Sequence, residues 1–204
     1  MTAEINIEYP NGGKPMPVIN PVAEADATGK AATIFKGLKS AFGKIYNFFG
    51  VMAHKPNVLD AWSSMYQSII VEGSISQRHK QLAFTYASQI NGCEYCYSFH
   101  SGLALEAGIS QDQLDALPFF RHSELFDEQE QATLLYADHV TRNSSSTRDE
   151  DVEAIKAFYS DQEVVELTMA ICLANFDNRY SNTLQLEIDI PLKDETLLRT
   201  RKAG

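Results

Sequence analysis

The sequence is short of basic residues and of long apolar runs, and each shortage excludes a class of partner. Lys and Arg number 17 against 27 Asp and Glu, which gives a formal net charge of -10. Proteins that bind nucleic acid need clustered Lys and Arg to face the phosphates. No apolar stretch approaches the roughly 18 residues of a membrane-spanning helix. We therefore expect neither nucleic acid nor a membrane as a partner.

Cysteine is scarce as well, with three in 204 residues, yet two of them stand three positions apart in CEYC at residues 93–96. The N-terminal stretch MTAEINIEYPNGGKPMPVINP has neither the basic region nor the apolar region of a secretory signal. A cytoplasmic location is therefore the default expectation. In that reducing compartment a CxxC pair is more often catalytic, redox-active or metal-binding than a structural disulfide.

The chain is organised as a short arm followed by helices. Residues 1–21 hold four of the seven prolines and a Gly-Gly pair, which indicates an extended N-terminal arm. Strand-like alternation is scarce beyond it, and residues 22–204 are predicted to form a single all-α domain, with NSSST at 143–147 as a loop. The predicted helices cover residues 22–41, 56–70, 76–90, 93–107, 110–117, 128–142, 148–158 and 161–185.

Five pairs mark helix starts, and in each a Ser, Thr or Asp is followed three residues later by Glu or Gln. Such a pair can satisfy backbone N–H groups that the first turn of a helix leaves without partners. Their recurrence along one chain favours the helical assignment more than any one pair does alone. The pairs are Ser74/Gln77, Ser110/Gln113, Asp127/Glu130, Thr147/Glu150 and Ser160/Glu163.

The segment INGCEYCYSFHSG, residues 90–102, places two thiols and an imidazole close together in sequence. Asn91 is expected as the N-cap of a helix and Gly92 as the point of a sharp turn, so that Cys93 falls in the first helical turn. There the helix dipole favours the thiolate and lowers the pKa of Cys93. Cys93, Cys96 and His100 share one helix face, and the imidazole can accept the proton of the Cys96 thiol one turn away.

This arrangement supplies the parts of a thiol peroxidase. A thiolate that attacks a peroxide becomes a sulfenic acid, which condenses with a second thiol in reach to form a disulfide. Attachment of a c-type haem is excluded because Tyr97, not His, follows the second cysteine. Two inert buried cysteines, or a zinc site, stay open as other interpretations, although no second ligand pair at zinc spacing is present. Further zinc ligands would have to come from residues otherwise expected to be structural: Cys172, His54, His79, His122 or His139.

Three segments resemble one known family. QLAFTYASQINGCEYCYSFHSGLALEAGIS looks like the core of the alkylhydroperoxidase D (AhpD) / carboxymuconolactone decarboxylase superfamily, in which CxxCxxxH opens the helix that follows another helix. FGVMAHKPNVLDAW resembles the lead-in of its peroxidase-related members, and VVELTMAICLANFDNRYSN resembles their closing helix. The resemblance covers residues 35–185 and rests most on the CxxCxxxH motif.

The resemblance implies a fold, a reaction and partners. The AhpD-like fold is all-α and forms obligate homo-oligomers, often trimers or hexamers of the helical unit. Its dithiol reduces peroxides without a cofactor and is re-reduced by an external dithiol such as a lipoyl group or a thioredoxin-like protein. Carried onto this chain, Cys96 with His100 is the thiol that attacks the peroxide, and Cys93 is the resolving thiol.

One position departs from the family pattern. Members with peroxidase activity carry Glu twelve residues before the first cysteine, where it serves in a proton relay, and here that position is Gln81. An amide can orient a neighbour by hydrogen bonding but does not accept a proton near neutral pH. We therefore expect another carboxylate to complete the relay. Glu166 on the closing helix is a better candidate than Glu94, which points away from Cys93.

The sequence thus predicts an oligomeric thiol peroxidase or disulfide reductase with Cys93, Cys96, His100, Gln81 and Glu166 as its catalytic residues. Two alternatives stay open. A cofactor-free decarboxylase or isomerase of a small lactone would not need the paired thiols, and their presence favours redox chemistry. A redox-sensing oligomer without turnover would keep the dithiol but not the proton relay, and Gln81 is the feature in its favour.

Overall fold

The computed structural model describes residues 17–146 and 148–190. Within these ranges the chain forms helices and no β-strand. The all-α prediction is therefore confirmed. Most of the predicted N-terminal arm lies outside the described residues. No helix of the described part is long and apolar enough to cross a membrane. The α-helices of this part are α1 (Gly29–Phe42), α2 (Asn47–Met52), α3 (Pro56–Tyr66), α4 (Gln77–Ile90), α5 (Glu94–Glu106), α6 (Gln111–Ala116), α7 (Glu128–Asn143), α8 (Asp149–Lys156) and α9 (Asp161–Thr183).

Sequence and structure differ most before α4. The predicted helix 22–41 begins only at Gly29, after a 3-10 turn at Glu24–Asp26, and α3 continues as a π-helical turn at Gln67–Val71. The helix α2 was not predicted at all. It has six residues, and the side chain of Tyr46 at its N-cap makes no capping hydrogen bond. Burial of its apolar side chains, rather than a local signal, stabilises α2.

The predicted helix starts are confirmed where both partners of a pair bond reciprocally. This holds for α6, α7 and α9, with Ser110/Gln113, Asp127/Glu130 and Ser160/Glu163. The prediction for Ser74/Gln77 is wrong. The cap of α4 is Ser76, whose hydroxyl oxygen accepts from the His79 N–H at 3.3 Å, because Ser74 is hydrogen-bonded to Glu166 instead.

The start of α8 also differs from the prediction. Thr147 lies outside the described residues, so the Thr147/Glu150 pair stays a prediction. The helix begins at Asp149, after Arg148, whose backbone N–H donates to the Asp151 carboxylate at 3.0 Å. The predicted loop at 143–147 is in part a 3-10 turn, Ser144–Ser146.

The helix α4 is the centre of the molecule, because its side chains from Lys80 to Ser88 are all buried. On one side it packs with α1, α2, α3, the start of α5 and the second half of α9. On the other side it packs with α6, α7, α8 and the first half of α9. Both thiols of the CxxC motif belong to the first of these two cores, which places them where α4, α5 and α9 meet.

Candidate active site

The turn between α4 and α5 positions the two thiols. Gly92 has a φ of 66°, in the left-handed region that glycine adopts with little strain, which confirms the predicted sharp turn. The prediction of Asn91 as an N-cap is wrong. Asn91 closes α4 instead, and its backbone N–H donates to the Ala87 carbonyl. The N-cap of α5 is Cys93 itself, two residues later than predicted.

As an N-cap, the Cys93 sulfur accepts a hydrogen bond from the backbone N–H of Cys96 at 3.4 Å. Both thiols are buried, with exposed fractions of 1% and 3%. Hydrogen bonding from the side chain of Cys96 lowers the pKa of Cys93, against the opposing effect of burial. The same hydrogen bond to Cys93, together with burial, raises the pKa of Cys96. The pair therefore favours a thiolate on Cys93 and a proton on Cys96.

The second half of α9 supplies polar groups behind the thiols. The Ser181 hydroxyl lies 3.6 Å from the Cys96 sulfur, and hydrogen bonds from Ser181 and Asn178 contribute to the lowered pKa of Cys93. Asn178 is itself held by the side chain of Asn91, which donates to its carbonyl oxygen at 2.8 Å. These contacts join the turn that presents the thiols to the helix that closes the site.

His100 is buried one turn after Cys96, and its environment fixes its proton. Its Nδ1 lies 2.8 Å from Gln81 Oε1, and its ring stacks on Phe84 with centroids 3.5 Å apart. An amide oxygen only accepts hydrogen bonds, so Nδ1 carries the hydrogen and Nε2 keeps its lone pair. Burial lowers the pKa of His100 to about 3. The imidazole is therefore neutral at physiological pH.

Cys96 and His100 line a small cavity with a volume of about 30 Å³. That volume is enough for a water or another group of a few atoms. One carboxyl group, that of Asp177, reaches the same cavity. All the other lining residues are aromatic: Phe42, Tyr46, Phe48, Phe49, Trp62, Tyr66, Tyr95 and Phe99.

Asp177, on α9, is the functional candidate that the sequence analysis missed. Its carboxyl group is buried, with 3% exposed, and accepts a hydrogen bond at Oδ1 from the Trp62 indole N–H at 2.8 Å. Burial raises the pKa of Asp177 well above its ordinary value, which favours the protonated carboxyl group. A signal was present, because Asp177 follows the core residues Leu173 and Ala174 at helical spacing and therefore falls on a buried face.

Glu166 is a residue of α9 whose side chain contacts the segment before α4, away from the thiols. Its carboxylate accepts hydrogen bonds from the Ser74 N–H at 2.7 Å, the Ser74 hydroxyl at 2.8 Å and the Ile75 N–H at 3.1 Å, and it pairs with Lys80 Nζ at 3.2 Å. Although burial opposes this, these hydrogen bonds lower the pKa of Glu166. The structure thus brings Cys93, Cys96, His100 and Gln81 together, whereas it places Glu166 beside a fully buried lysine.

The other cysteine and histidines lie apart from this site. Cys172 was expected to be buried, but it is exposed on α9. The His54 ring nitrogen Nε2 lies 2.9 Å from the Asn20 carbonyl oxygen, and His139 pairs with Asp151 at 3.3 Å. Among the residues that the structure describes, no group of three or more His, Cys, Asp and Glu side chains is arranged to hold a metal ion.

Comparison with known proteins finds a family match over part of the chain and a shared fold. The sequence model of the Carboxymuconolactone decarboxylase family matches residues 56–139, from α3 to α7. The uncharacterized protein YdfG of Bacillus subtilis is 26% identical over 111 residues, which are 54% of this chain and 76% of YdfG.

Three solved structures share the fold. A peroxidase-related protein with an AhpD core from Ralstonia eutropha superposes with a TM-score of 0.76 at 17% identity, over 86% of this chain and 93% of that one. The debrominase Bmp8 in complex with 2,3,4-tribromopyrrole gives a TM-score of 0.73 at 22% identity, over 84% and 91%. ATU0492 of Agrobacterium tumefaciens, a protein of unknown function, gives 0.64 at 27% identity, over 69% and 96%. Residues 56–139 thus match the Carboxymuconolactone decarboxylase family, and the described chain has the fold of AhpD-like proteins.

Proposed function

We propose that this protein is a thiol peroxidase that reduces hydroperoxides with the Cys93–Cys96 pair and is re-reduced by an external dithiol. The observation that carries the proposal is one cavity where the Cys96 sulfur, the neutral His100 imidazole and the Asp177 carboxyl group meet. A nucleophile, a hydrogen-bond acceptor and a proton donor around one small space are the groups that cleavage of an O–O bond requires.

The first step is activation of Cys96. The Cys93 thiolate accepts the proton of the Cys96 thiol, with which it is hydrogen-bonded. His100, whose pKa is about 3, is too weak a base to store this proton. Its Nε2 instead accepts a hydrogen bond from the O–H of the bound hydroperoxide, which turns the distal oxygen toward the Cys96 sulfur. Gln81 holds the imidazole in the tautomer that this contact needs.

The second step is cleavage of the O–O bond. The Cys96 thiolate forms a bond to the distal oxygen, and the electron pair of the O–O bond leaves on the alkoxide RO⁻. Asp177 gives its proton to this alkoxide, so that the products are ROH, the Cys96 sulfenic acid and the Asp177 carboxylate. The raised pKa of Asp177 keeps that proton available before the reaction.

The third step closes the disulfide and the fourth restores the thiols. The sulfur of Cys93, now a thiol, attacks the sulfenic sulfur, its proton joins the departing hydroxide, and water leaves. An external dithiol then reduces the disulfide and becomes a disulfide itself. Its two protons return to Cys96 and Asp177, and Cys93 is again a thiolate. A lipoyl group or a thioredoxin-like protein is the class of reductant that we propose.

In this scheme Asp177 takes the relay role for which the sequence favoured Glu166. Glu166 is already bonded to Ser74 and Ile75 and paired with Lys80. We assign it to holding the start of α4, the helix that carries Gln81. Gln81 stands where the family resemblance implies Glu, so the site has one proton acceptor fewer. Asp177 is the acidic group that remains within reach of the cavity.

A second candidate reaction is reductive dehalogenation of an aromatic ring, which the eight aromatic side chains around the cavity favour. There the Cys96 thiolate would form a bond to the halogen as the carbon–halogen bond breaks, and the ring carbon would take the Asp177 proton. The Cys93 thiol would then displace halide to give the same disulfide, and its proton would return to Asp177. The neighbour Bmp8, a debrominase, has this fold. Halide release from a bromopyrrole would distinguish this reaction from peroxide reduction.

We further propose that the protein is a homo-oligomer. The helix α9 exposes Val165, Met169 and Phe176, with exposed fractions of 63%, 42% and 46%, in one stripe together with Cys172. Apolar stripes of this kind are typical of subunit interfaces. Met169→Lys should lower the mass measured by light scattering, whereas Val58→Lys, at an equally exposed position on α3, should leave it unchanged. An unchanged mass for Met169→Lys would contradict this interface.

The peroxidase proposal is tested by peroxide consumption with dithiothreitol as the reductant. Wild-type protein should consume cumene hydroperoxide with turnover. The variants Cys96→Ser and Cys93→Ser should both lose this turnover, for different reasons. Cys96→Ser should lose the first reaction. Cys93→Ser lacks the thiolate that accepts the Cys96 proton, so it should perform that reaction slowly and, without dithiothreitol, stop at the sulfenic acid, which dimedone labels. Lactone decarboxylation that survives in the double serine variant would favour the cofactor-free decarboxylase instead.

A further inference from the structure

A second and much larger cavity adjoins the thiol site. It has a volume of about 860 Å³ and lies between α1, α3 and the end of α5. Three side chains, Phe42, Trp62 and Tyr66, line both this groove and the 30 Å³ cavity at Cys96. Gln81, the hydrogen-bond partner of His100, also lines the groove. The two spaces therefore adjoin at these side chains.

We propose that this groove binds the organic part of the hydroperoxide, and that the substrate is a bulky, uncharged, apolar hydroperoxide. This inference rests on the proposed function. The cavity at Cys96 has a volume of only about 30 Å³, so it suits the –O–OH group of a substrate better than a bulky organic part. An aryl or long alkyl remainder needs a separate site, and 860 Å³ is within the range of pockets that bind small molecules. Half-buried Phe42, at the end of α1, lines both spaces and would border the bound substrate where they adjoin.

The walls of the groove agree with an apolar, uncharged ligand. α1 contributes Ile34 and Leu38, and the segment after α3 contributes Ile70. The only charged residues on the wall, within the described part of the chain, are Asp60 and Glu106. Asp60 is paired with Lys30 Nζ at 2.7 Å, so the like charge that a carboxylate ligand would meet comes mainly from Glu106. A neutral hydroperoxide therefore fits this groove better than the hydroperoxide of a fatty acid anion.

Two glycines offer a matched pair of variants. A Cβ built at Gly37, on the groove side of α1, meets no atom within 4 Å, and the same is true at Gly102 on α5, which does not line the groove. Gly37→Leu should therefore fill the groove without disturbing the core, and Gly102→Leu should add the same side chain outside it. Both changes replace glycine inside a helix by a better helix former, so neither should impair folding.

Binding can be measured without any reaction, because the single tryptophan of the chain, Trp62, lines the groove. The probe is 2-phenyl-2-propanol, the alcohol that cumene hydroperoxide yields, and its titration should change Trp62 fluorescence in a saturable way. The change should persist in Gly102→Leu and in Cys96→Ser, and its midpoint should rise roughly tenfold in Gly37→Leu. The anion 4-isopropylbenzoate should bind at least about tenfold more weakly than the alcohol.

Kinetics separate this inference from the proposed function. In Gly37→Leu, kcat/KM for cumene hydroperoxide should fall roughly tenfold while that for hydrogen peroxide stays within about twofold of wild type. Equal effects on both peroxides, or alcohol binding unaffected by Gly37→Leu, would overturn the groove assignment and leave the peroxidase proposal standing. A lower oligomer mass of Gly37→Leu in solution would also overturn it, because the groove would then be an interface between copies of the chain. Absence of any peroxide turnover in wild type would instead refute the proposed function, whereas alcohol binding would be unaffected.

Discussion

The replacement Gln81→Glu introduces the carboxylate that the family resemblance implies at this position and should give His100 a measurable pKa in the neutral range. In wild type the amide oxygen of Gln81 lies 2.8 Å from His100 Nδ1, and burial lowers the pKa of His100 to about 3. A carboxylate at that oxygen would face the imidazolium directly. Opposite charge at such a distance favours the protonated imidazole.

The size of the effect follows from the geometry. Two unit charges about 4 Å apart attract by about 4 kcal/mol at an effective dielectric constant of 20. Since about 1.4 kcal/mol corresponds to one pH unit, Gln81→Glu should raise the pKa of His100 by about 3 units. The variant should therefore protonate His100 near pH 6, where the wild-type imidazole is neutral.

The assay is NMR titration of the imidazole Cε1–Hε1 signals between pH 4.5 and 8. The chain has five histidines, and a His100→Asn spectrum identifies the signal of interest. In wild type this signal should not shift over the range, and in Gln81→Glu it should titrate. Gln81→Met, which removes the acceptor without adding charge, should leave the signal unshifted and slow peroxide reduction several-fold. A His100 that titrates near pH 6 in wild type, or that stays silent in Gln81→Glu, would refute our account of this hydrogen bond.

Two further predictions concern the acidic residues of α9. Asp177→Asn should keep the Trp62 hydrogen bond but slow peroxide reduction by roughly 100-fold, because it removes the proposed proton donor. The folded-state pKa of Asp177 is raised, so its contribution to stability is complete below about pH 4 and is lost as pH rises through that pKa. The melting temperature of Asp177→Asn relative to wild type should therefore increase with pH, and a constant difference would show that the carboxyl group is not buried and protonated. Glu166→Gln should lower the free energy of unfolding by about 3 kcal/mol, measured by urea denaturation, because it leaves Lys80 buried without its partner. Its reaction rate per folded molecule should stay at the wild-type value, and a loss of rate without a loss of stability would restore Glu166 to the relay.

The sequence predicts the helices where local signals are strong. The capping pairs at α6, α7 and α9 formed as expected, since their donors and acceptors lie within four residues of each other. The helix α2 has no such signal and forms because its apolar side chains are buried by α1 and α3. The cap of α4 was misplaced because Glu166, 92 residues away, binds Ser74. Contacts across such distances are invisible to a local pattern.

The same distinction explains what could be predicted of the site. Cys93, Cys96 and His100 lie on one turn and one helix, so their proximity follows from spacing alone, although the N-cap position of Cys93 does not. Gln81 joins them through a contact between α4 and α5 that the family resemblance implied. Asp177 reaches the cavity only because α9 packs its buried face against the aromatic side chains of α2 and α3. The large groove likewise depends on how α1 lies against α3.

The central claim is that Cys93 and Cys96 react as a pair, and free-thiol titration tests it most directly. Cys172→Ala removes the third, exposed thiol, so that only the pair is counted, and the sample receives one equivalent of cumene hydroperoxide for each chain. Our account predicts that both thiols disappear within seconds and that dithiothreitol restores both. In a double variant that carries Cys96→Ser as well as Cys172→Ala, the same pulse should leave Cys93 reduced. Thiols that stay reduced for minutes after the pulse would contradict the peroxidase mechanism.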